Sequence, residues 1–336
     1  MKSYLEGCGV PTTRIGRTEI PRLIMGIHPY DGCSYQNKER DAQNFRTFSR
    51  VQPVADVLRC AVEEGGITAV QVDHMLPTLD RLHLQAIWET EQQTNTQIGM
   101  VAYILIPVTL NGEIVSYSER AHSTFYDRNE ALGGEAFREH FHADQIIRYN
   151  LGGTFDGIAT PATVAPYAEE DAARFEIDYG ILEQYLGFFA GCDILIADPG
   201  AEIDLLAMTG RFDLIREYLD FLRQRFDTVI TSVHHAGVTL PLLEAENIPV
   251  DGYLTTVNAP GTFMFPTRDL AIDAIKNASK PVIAIKPMAG GRYLGHKAFE
   301  YVFDQVGVQA SMFGMGTIDQ VRETTQAARG VLGAAA

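Results

Sequence analysis

Acidic, imidazole and amine side chains follow apolar, strand-like runs at several separate points of this chain. Lys286 follows the run Pro281–Ile285, and Asp73 and Asp198 stand at the ends of two others. Such groups, brought together in a site shielded from water, exchange protons with a substrate or stabilise the charge that develops on it. The candidate catalytic residues are therefore Lys286, Asp73, Asp198, His28 and His234.

Each of these residue types contributes a different chemistry. A lysine removed from water has a lowered pKa, so Lys286 can serve as a base, an electrophile or an amine nucleophile. An aspartate is the expected base and a histidine the expected acid, because the imidazole pKa lies near neutrality. His234 and His235 are adjacent, so strand alternation sends at most one of them inward, and the sequence leaves open which.

Other residues near the same strand ends are candidates for binding. Gly290-Gly291-Arg292 follows Lys286 closely, and backbone amides together with a guanidinium can hold a phosphate or a carboxylate. The alternative explanation is that Gly290–Arg292 is a flexible turn with a surface arginine, and that Asn258 only fixes a turn. The expected substrate-binding residues are Asn258, Arg292, Tyr30, Tyr103 and His235, and the expected cofactor-binding residues are Gly290 and Gly291.

The composition is that of an acidic, soluble globular protein. The 27 Lys plus Arg residues against 43 Asp plus Glu give a net charge of −16, which repels nucleic acids and anionic membranes. No apolar run reaches the roughly 18 residues of a membrane span, and the four cysteines form no metal or disulfide motif. We expect a cytoplasmic protein that acts on a small-molecule substrate; homo-oligomer formation stays open.

Strand-length apolar runs alternate with helical patterns along the chain. Nine runs are strand candidates: Arg22–Ile27, Thr68–Asp73, Ile98–Ile106, Asp156–Thr160, Asp193–Ala197, Thr228–Val233, Gly252–Val257, Pro281–Ile285 and Ser311–Met315. The helical patterns cover Pro53–Glu64, Leu79–Gln92, Ala172–Ala190, Phe212–Arg225, Thr267–Asn277 and Ile318–Ala328. This alternation predicts a parallel sheet closed into an α/β (β/α)8 TIM barrel. An open dinucleotide-binding sheet would carry a GxGxxG turn after its first strand, and the sequence contains none. A (β/α)8 barrel has eight strands, so one of the nine candidates lies outside it: Ile98–Ile106, Asp156–Thr160 or a neighbour.

The stretch from residue 107 to residue 153 departs from this alternation. Asn111-Gly112 is a hairpin signal, a polar and aromatic segment follows at Ser116–Asn129, and a helical pattern covers Gly134–Tyr149. We expect one barrel domain over residues 1–336, in which 107–153 is an inserted lid or subunit contact and 330–336 is a flexible tail.

Several segments resemble the aldo-keto reductases, a superfamily of (β/α)8 barrels. Thr13–Gly26 is similar to that family's opening hairpin and first strand, and Val57–Asp73 to its first helix and second strand. Cys192–Asp198 resembles the strand that ends in the family's catalytic His, and Val282–Arg292 and Phe313–Val321 resemble the last two strands with their turns. The resemblance covers about half of the chain and implies the barrel fold.

The resemblance also implies an Asp, a Tyr, a Lys and a His around a carbonyl group, with the Tyr as proton donor and NADPH as reductant. Asp73 stands where the family's Asp stands, but His74–Thr78 contains no Tyr and Asp198 replaces the His. Neither Ala102–Leu105 nor Ile158–Pro161 ends in a Lys, and no basic residue for a 2′-phosphate directly follows the turn at 314–317. Since most of the expected groups are absent, this pattern favours a non-redox reaction.

The leading hypothesis is therefore a barrel enzyme that acts by acid–base chemistry, as a lyase, isomerase or aldolase, on a small hydroxy-carbonyl or sugar-like substrate. In one variant a divalent metal is held by His28, Asp73, Asp198 and His234. The first alternative is an oxidoreductase that uses NADP(H) or NAD(H), with Tyr30, Tyr103 or Lys286 as the proton donor. The second is an inactive barrel that acts as a subunit or ligand sensor.

Overall fold

Thirteen strands occur in the residues that this computed structural model describes, namely 1–116, 118–151, 164–200 and 202–333. The first two, β1 (Thr12–Ile15) and β2 (Thr18–Pro21), form an antiparallel hairpin. The others, in chain order, are β3 (Leu23–Gly26), β4 (Ala69–Val72), β5 (Gly99–Ile104), β6 (Val108–Leu110), β7 (Glu113–Ile114), β8 (Phe175–Ile177), β9 (Ile194–Pro199), β10 (Thr231–Val233), β11 (Tyr253–Thr256), β12 (Val282–Ile285) and β13 (Ala310–Gly314).

Eight of these strands, β3–β5 and β9–β13, lie side by side in chain order, and all are parallel. β13 pairs with β3, and a bridge between Ala197 and Val229 joins β9 to the segment before β10, so the barrel is nearly closed. Its interior is filled by inward side chains such as Ile24, Val101 and Ile283, which are buried together. The predicted (β/α)8 barrel is thereby confirmed.

Helices cover the outside of the barrel. They are α1 (Lys38–Phe48), α2 (Val51–Glu63), α3 (Pro77–Thr94), α4 (Glu119–Ala143), α5 (Gln145–Leu151), α6 (Glu169–Ala172), α7 (Tyr179–Phe188), α8 (Glu202–Met208), α9 (Phe212–Arg223), α10 (Ala236–Ala245), α11 (Arg268–Asn277), α12 (His296–Glu300), which a π-helical segment (Tyr301–Val306) continues, and α13 (Ile318–Leu332). α9 shows why they form, because its buried face collects apolar residues at helical spacing: Leu214, Ile215, Tyr218, Leu219 and Leu222. None of the described helices is both long and apolar enough to cross a membrane.

Most of the predicted elements are present, with one error. Ile98–Ile106 contains the barrel strand β5, whereas Asp156–Thr160 lies outside the described residues. The single helix expected over Ala172–Ala190 is wrong in its first part, because β8 lies there and pairs with β6. That pairing is not local in the sequence, and the helix α7 begins only after Asp178, whose side chain caps it.

The chain leaves the barrel after β5 and returns to it at β9. The predicted Asn-Gly hairpin is confirmed: Asn111 and Gly112 have φ of 54° and 83° and join β6 to β7. The expected insertion at 107–153 lies within this excursion, and much of its polar, aromatic segment is part of α4. At the other end of the chain, α13 extends to Leu332, so residues 330–332 of the expected tail are helical.

Candidate active site

A cavity of about 1090 Å³ opens at the carboxyl ends of the barrel strands. Its wall includes residues that follow β3, β4, β10, β12 and β13, together with side chains of the inserted helix α4. Barrels of this kind place their active sites at this end, and the volume slightly exceeds the ~300–1,000 Å³ that is usual for ligand pockets. The predicted site residues on this wall are His28, Asp73, Tyr103, His234, His235, Lys286, Gly290 and Gly291.

Lys286 supplies the amine of the cavity. Its carbonyl oxygen accepts hydrogen bonds from the Ala289 amide (2.9 Å) and the Asn258 side chain (3.2 Å), which hold its backbone in place. The Tyr35 and Phe263 ring centroids lie 5.3 and 5.2 Å from Nζ, within cation–π range. No carboxylate of the described residues lies within 4.0 Å of Nζ. Burial lowers the pKa of Lys286 to about 8.

Backbone strain is concentrated around this lysine. Seven non-glycine residues of the described chain have positive φ, and three of them are asparagines, which tolerate that conformation. The other four are Tyr35, Phe263, Lys286 and Ala289, which lie on the cavity wall or in the turn after Lys286. Such conformations cost on the order of 1–3 kcal/mol each and persist where surrounding contacts impose them, often at functional sites.

His28 and Asp73 reach the cavity from the first two barrel strands. Burial and the positive charge of Lys286 lower the pKa of His28 to about 4, so its imidazole is neutral at pH 7. Burial raises the pKa of Asp73 to about 6, although its carboxylate accepts hydrogen bonds from the backbone amides of His74 (2.6 Å) and Met75 (2.9 Å). The cavity thus holds a cation, a neutral imidazole and a carboxyl group near its ionisation point.

The adjacent histidines have different surroundings. Burial lowers the pKa of His234 well below its usual value, and the positive charge of Lys286 lowers it further, so His234 lies within electrostatic reach of the amine. His235 lies between two phenylalanine rings, and its Nδ1 accepts a hydrogen bond of 2.8 Å from the Asn129 side chain of α4. Both line the cavity, and His234 lies against the same Phe263 ring as the Lys286 amine.

Asp198 and Asn258 lie beside the cavity and are absent from its described wall. Asp198 is buried and accepts a hydrogen bond of 2.7 Å from the Ser232 hydroxyl, and burial raises its pKa to about 7. Asn258 is fully buried, and its side chain bonds both the amide and the carbonyl of Thr262 as well as Lys286. Asn258 therefore positions the lysine through the backbone.

Tyr30 and Arg292 are also set back from the cavity wall of the described chain. Tyr30 is buried, and its ring packs edge-on against Phe48 and His83. The Arg292 guanidinium donates hydrogen bonds to the carbonyl oxygens of Tyr35 and Ala289, so it fastens the turn after β12 to the loop after β3.

Sequence reasoning did not single out Tyr35, Phe263 or Asp31, all of which line the cavity. Asp31 stands in the same segment as His28 after β3, and this position after a strand could have identified it as a candidate site residue. Tyr35 and Phe263 come from longer loops, and nothing in the local pattern distinguishes them from other exposed aromatic residues.

The turns after β12 and β13 form the edge of the cavity that suits a phosphate-bearing cofactor. Gly290 and Gly291 have φ of 65° and 82°, a backbone shape that favours glycine. Thr317 caps the first turn of α13, and Gly316, Thr317 and Gln320 all line the cavity. The partial positive charge of a helix N-terminus attracts phosphate groups.

The four residues suggested as metal ligands, His28, Asp73, Asp198 and His234, do not form one cluster in the described part of the chain. Asp198 is the clearest exception, because it is buried against Ser232 behind the wall.

Solved structures of the same fold are aldo-keto reductases. Two structures described as aldo-keto reductases from Pseudomonas aeruginosa match with TM-scores of 0.52 and 0.50, at 14% and 15% sequence identity. The matches cover 96% and 94% of this chain and 95% of each of the other two chains. One from Bombyx mori, in complex with NADP, matches with a TM-score of 0.50 at 11% identity, over 96% of this chain and 92% of its own. The chain has the aldo-keto reductase fold. No protein-family model and no curated protein matches the sequence.

These comparisons overturn the hypothesis of a non-redox lyase or isomerase. The structures named above, which share this fold over nearly the whole chain, are aldo-keto reductases, and this agrees with the redox alternative better than with a lyase or isomerase. The hypothesis was wrong because it inferred a non-redox reaction from the absence of the family's Tyr, Lys and His at their expected strand ends. Polar groups from other strand ends, Lys286 and Tyr103 among them, line the same cavity.

Proposed function

We propose that this protein is an oxidoreductase that transfers a hydride between a nicotinamide dinucleotide and a carbonyl or hydroxyl carbon of a small molecule. One observation carries the proposal: the Lys286 amine, which no described carboxylate neutralises, shares a cavity with the glycine turns and the α13 N-terminus. The aldo-keto reductase fold, and the NADP bound by the Bombyx mori protein, support the same function.

The residues at the cavity edge fit a dinucleotide. Gly290, Gly291, Gly316 and Thr317 would hold it, since left-handed glycines allow a backbone to approach phosphates and α13 presents its N-terminus there. When bound, the reduced nicotinamide supplies the hydride. The wall carries five acidic residues against one lysine and one arginine: Asp31, Asp73, Asp80, Asp204 and Glu323, against Lys286 and Arg40.

Lys286 is the proposed proton donor. Its ammonium donates a hydrogen bond to the substrate oxygen and stabilises the negative charge that develops there. The proton then passes from Nζ to that oxygen, leaving a neutral amine, and in the reverse direction Nζ takes it from the hydroxyl group. A pKa of about 8 suits both directions, because a catalytic group works best when its pKa is near the working pH.

Tyr103 and His28 are the proposed supporting groups. The Tyr103 side chain lines the same cavity from β5, and a phenol can donate a second hydrogen bond to the substrate oxygen. His28 carries no charge at pH 7, so it can bind a substrate hydroxyl without repelling the Lys286 ammonium.

Nucleotide titration tests the proposal directly. NADPH and NADH are added separately to the full chain, and the fluorescence of the reduced nicotinamide is followed. We expect saturable binding of at least one of them below ~1 mM, the upper end of usual KM values. The bound nucleotide should then be oxidised in the presence of a panel of aldehydes, ketones and hydroxy-carbonyl compounds.

Variants separate binding from chemistry. Lys286→Met should bind the nucleotide as the wild type does but lose turnover, while Lys280→Met, which changes an exposed lysine, should keep both. The proposal is rejected if neither nucleotide binds at ~1 mM, or if Lys286→Met turns over at the wild-type rate.

A further inference from the structure

Two carboxylates and an imidazole meet at the cavity wall between the loop after β3 and the helix α3. His83 Nδ1 lies 3.7 Å from Asp31 Oδ1 and 3.7 Å from Asp80 Oδ1. One ligand atom from each of the three residues can be chosen so that all lie within 4.8 Å of one another. Asp31 and Asp80 also line the cavity, so small solutes can reach this cluster from it.

The imidazole of His83 is buried without a hydrogen-bond partner. Its side chain is 5% exposed, and neither ring nitrogen makes a hydrogen bond to any described residue. The Tyr30 carbonyl approaches the ring, but no hydrogen bond of acceptable geometry forms between them. Buried polar atoms nearly always have partners, and an imidazole whose nitrogen is aimed at two carboxyl groups has the arrangement of a metal ligand.

The two carboxylates are not neutralised by a basic side chain. Among the ion pairs of the described residues, Asp31 and Asp80 contact histidines only, with no lysine or arginine within 4.0 Å. The other oxygen of Asp80 accepts a hydrogen bond of 2.7 Å from the Leu76 amide, which fixes the orientation of that carboxylate. Such outer contacts are typical of metal-binding carboxylates.

We propose that Asp31, Asp80 and His83 bind one Zn²⁺ ion whose fourth coordination position faces the cavity. Zinc takes nitrogen and carboxylate oxygen ligands at ~2.0–2.2 Å, which places tetrahedral ligand atoms roughly 3.4 Å apart. The two separations of 3.7 Å from His83 Nδ1 are close to that spacing, and the three ligand atoms all lie within 4.8 Å of one another. Both carboxyl groups and the unpartnered imidazole nitrogen would then serve as ligands of the ion. This site does not depend on the proposed hydride transfer.

Metal titration tests the site. The full chain is freed of metal by dialysis against a chelator, and Zn²⁺ binding is followed by calorimetry. Co²⁺ serves as a spectroscopic probe, because its visible absorption reports the coordination geometry. We expect one ion per chain, a tetrahedral Co²⁺ spectrum, and a melting temperature that rises on addition of Zn²⁺.

Three variants identify the ligands. Asp31→Asn and His83→Gln should weaken Zn²⁺ binding by ~100-fold or more, since loss of an outer contact alone costs about 10–100-fold. His122→Gln is the matched control, because His122 is also buried with an unpartnered Nδ1 among described residues but belongs to α4. If His83→Gln does not fold, Asp31→Asn decides, since the Asp31 side chain is the more exposed, at 15%.

The proposal is overturned if the wild type binds no stoichiometric Zn²⁺, or if Asp31→Asn binds it as tightly as the wild type. NADPH and NADH titrations of the same preparations keep the two proposals distinct. Zinc binding without nucleotide binding contradicts only the proposed oxidoreductase function, and the reverse result contradicts only the metal site.

Discussion

Replacing Lys286 by methionine should stabilise the fold while it impairs turnover. Methionine keeps an unbranched side chain against the Tyr35 and Phe263 rings but removes the charge from a half-buried position. Three groups interact electrostatically with this amine, His28, His234 and Cys33, and both histidines are neutral at pH 7. The charge of Lys286 is therefore held without a compensating anion.

The magnitude follows from the pKa of the amine. Burial lowers it from 10.5 to about 8, which at ~1.4 kcal/mol per pKa unit corresponds to ~3 kcal/mol against the charged form. Partial solvent exposure and the two cation–π contacts reduce this cost. We therefore expect the free energy of unfolding of Lys286→Met to exceed that of the wild type by about 1–2 kcal/mol at pH 7.

This difference should depend on pH. Between pH 8 and pH 10.5 the folded wild type binds fewer protons than its unfolded state, so its stability rises with pH across that window. The advantage of Lys286→Met should therefore fade towards pH 10.5. Turnover of the wild type should decrease above pH 8 as the amine loses its proton, and the variant should lose about 10²–10³-fold in kcat, as for loss of one oxyanion donor.

Urea unfolding at pH 7 and pH 10 measures the stability of both proteins, with Lys280→Met as the exposed-lysine control. Steady-state assays measure kcat, and the nucleotide titration measures Kd. The reasoning is refuted if Lys286→Met is less stable than the wild type at pH 7, or if the stability difference is the same at both pH values.

The remaining predictions concern groups that support this lysine and the cofactor. Lys286→Arg should lower kcat across the whole pH range, because a guanidinium keeps the positive charge but does not give up a proton; a wild-type kcat in this variant would contradict the proposed role. Asn258→Ala should lower the free energy of unfolding by about 1–3 kcal/mol, since it leaves buried groups of Thr262 and Lys286 without partners; because Asn258 acts through Lys286, kcat should change more than KM. Gly290→Val would place a Cβ 2.9 Å from the Tyr35 side chain at a φ of 65°, so nucleotide Kd should rise, whereas Gly187→Val in α7 should leave it unchanged. NADH should bind more tightly than NADPH, because Glu323 lies on the cavity wall with the α13 N-terminus and repels the added phosphate; a fluorescence titration that ranks them the other way would contradict this.

The barrel could be predicted from the sequence because its signals are local. Each strand is a short apolar run and each helix repeats its apolar residues at helical spacing, as the pattern Phe212–Arg225 and the observed α9 (Phe212–Arg223) show. The prediction failed at β8, where a three-residue strand exists only through its pairing with β6 more than sixty residues earlier. Local patterns cannot register a partner at that distance.

The site could be predicted only in part. Position after a strand was enough to find Lys286 and Asp73, because parallel strands in a barrel bring their carboxyl ends to one rim. The side-chain hydrogen bond that holds His235 comes from Asn129, a residue of α4 that lies 106 positions away in the chain. The meeting of Asp31 with His83 likewise exists only because the loop after β3 packs against α3. Chain order determined which groups reach the rim, and contacts between distant segments determined which of them face one another.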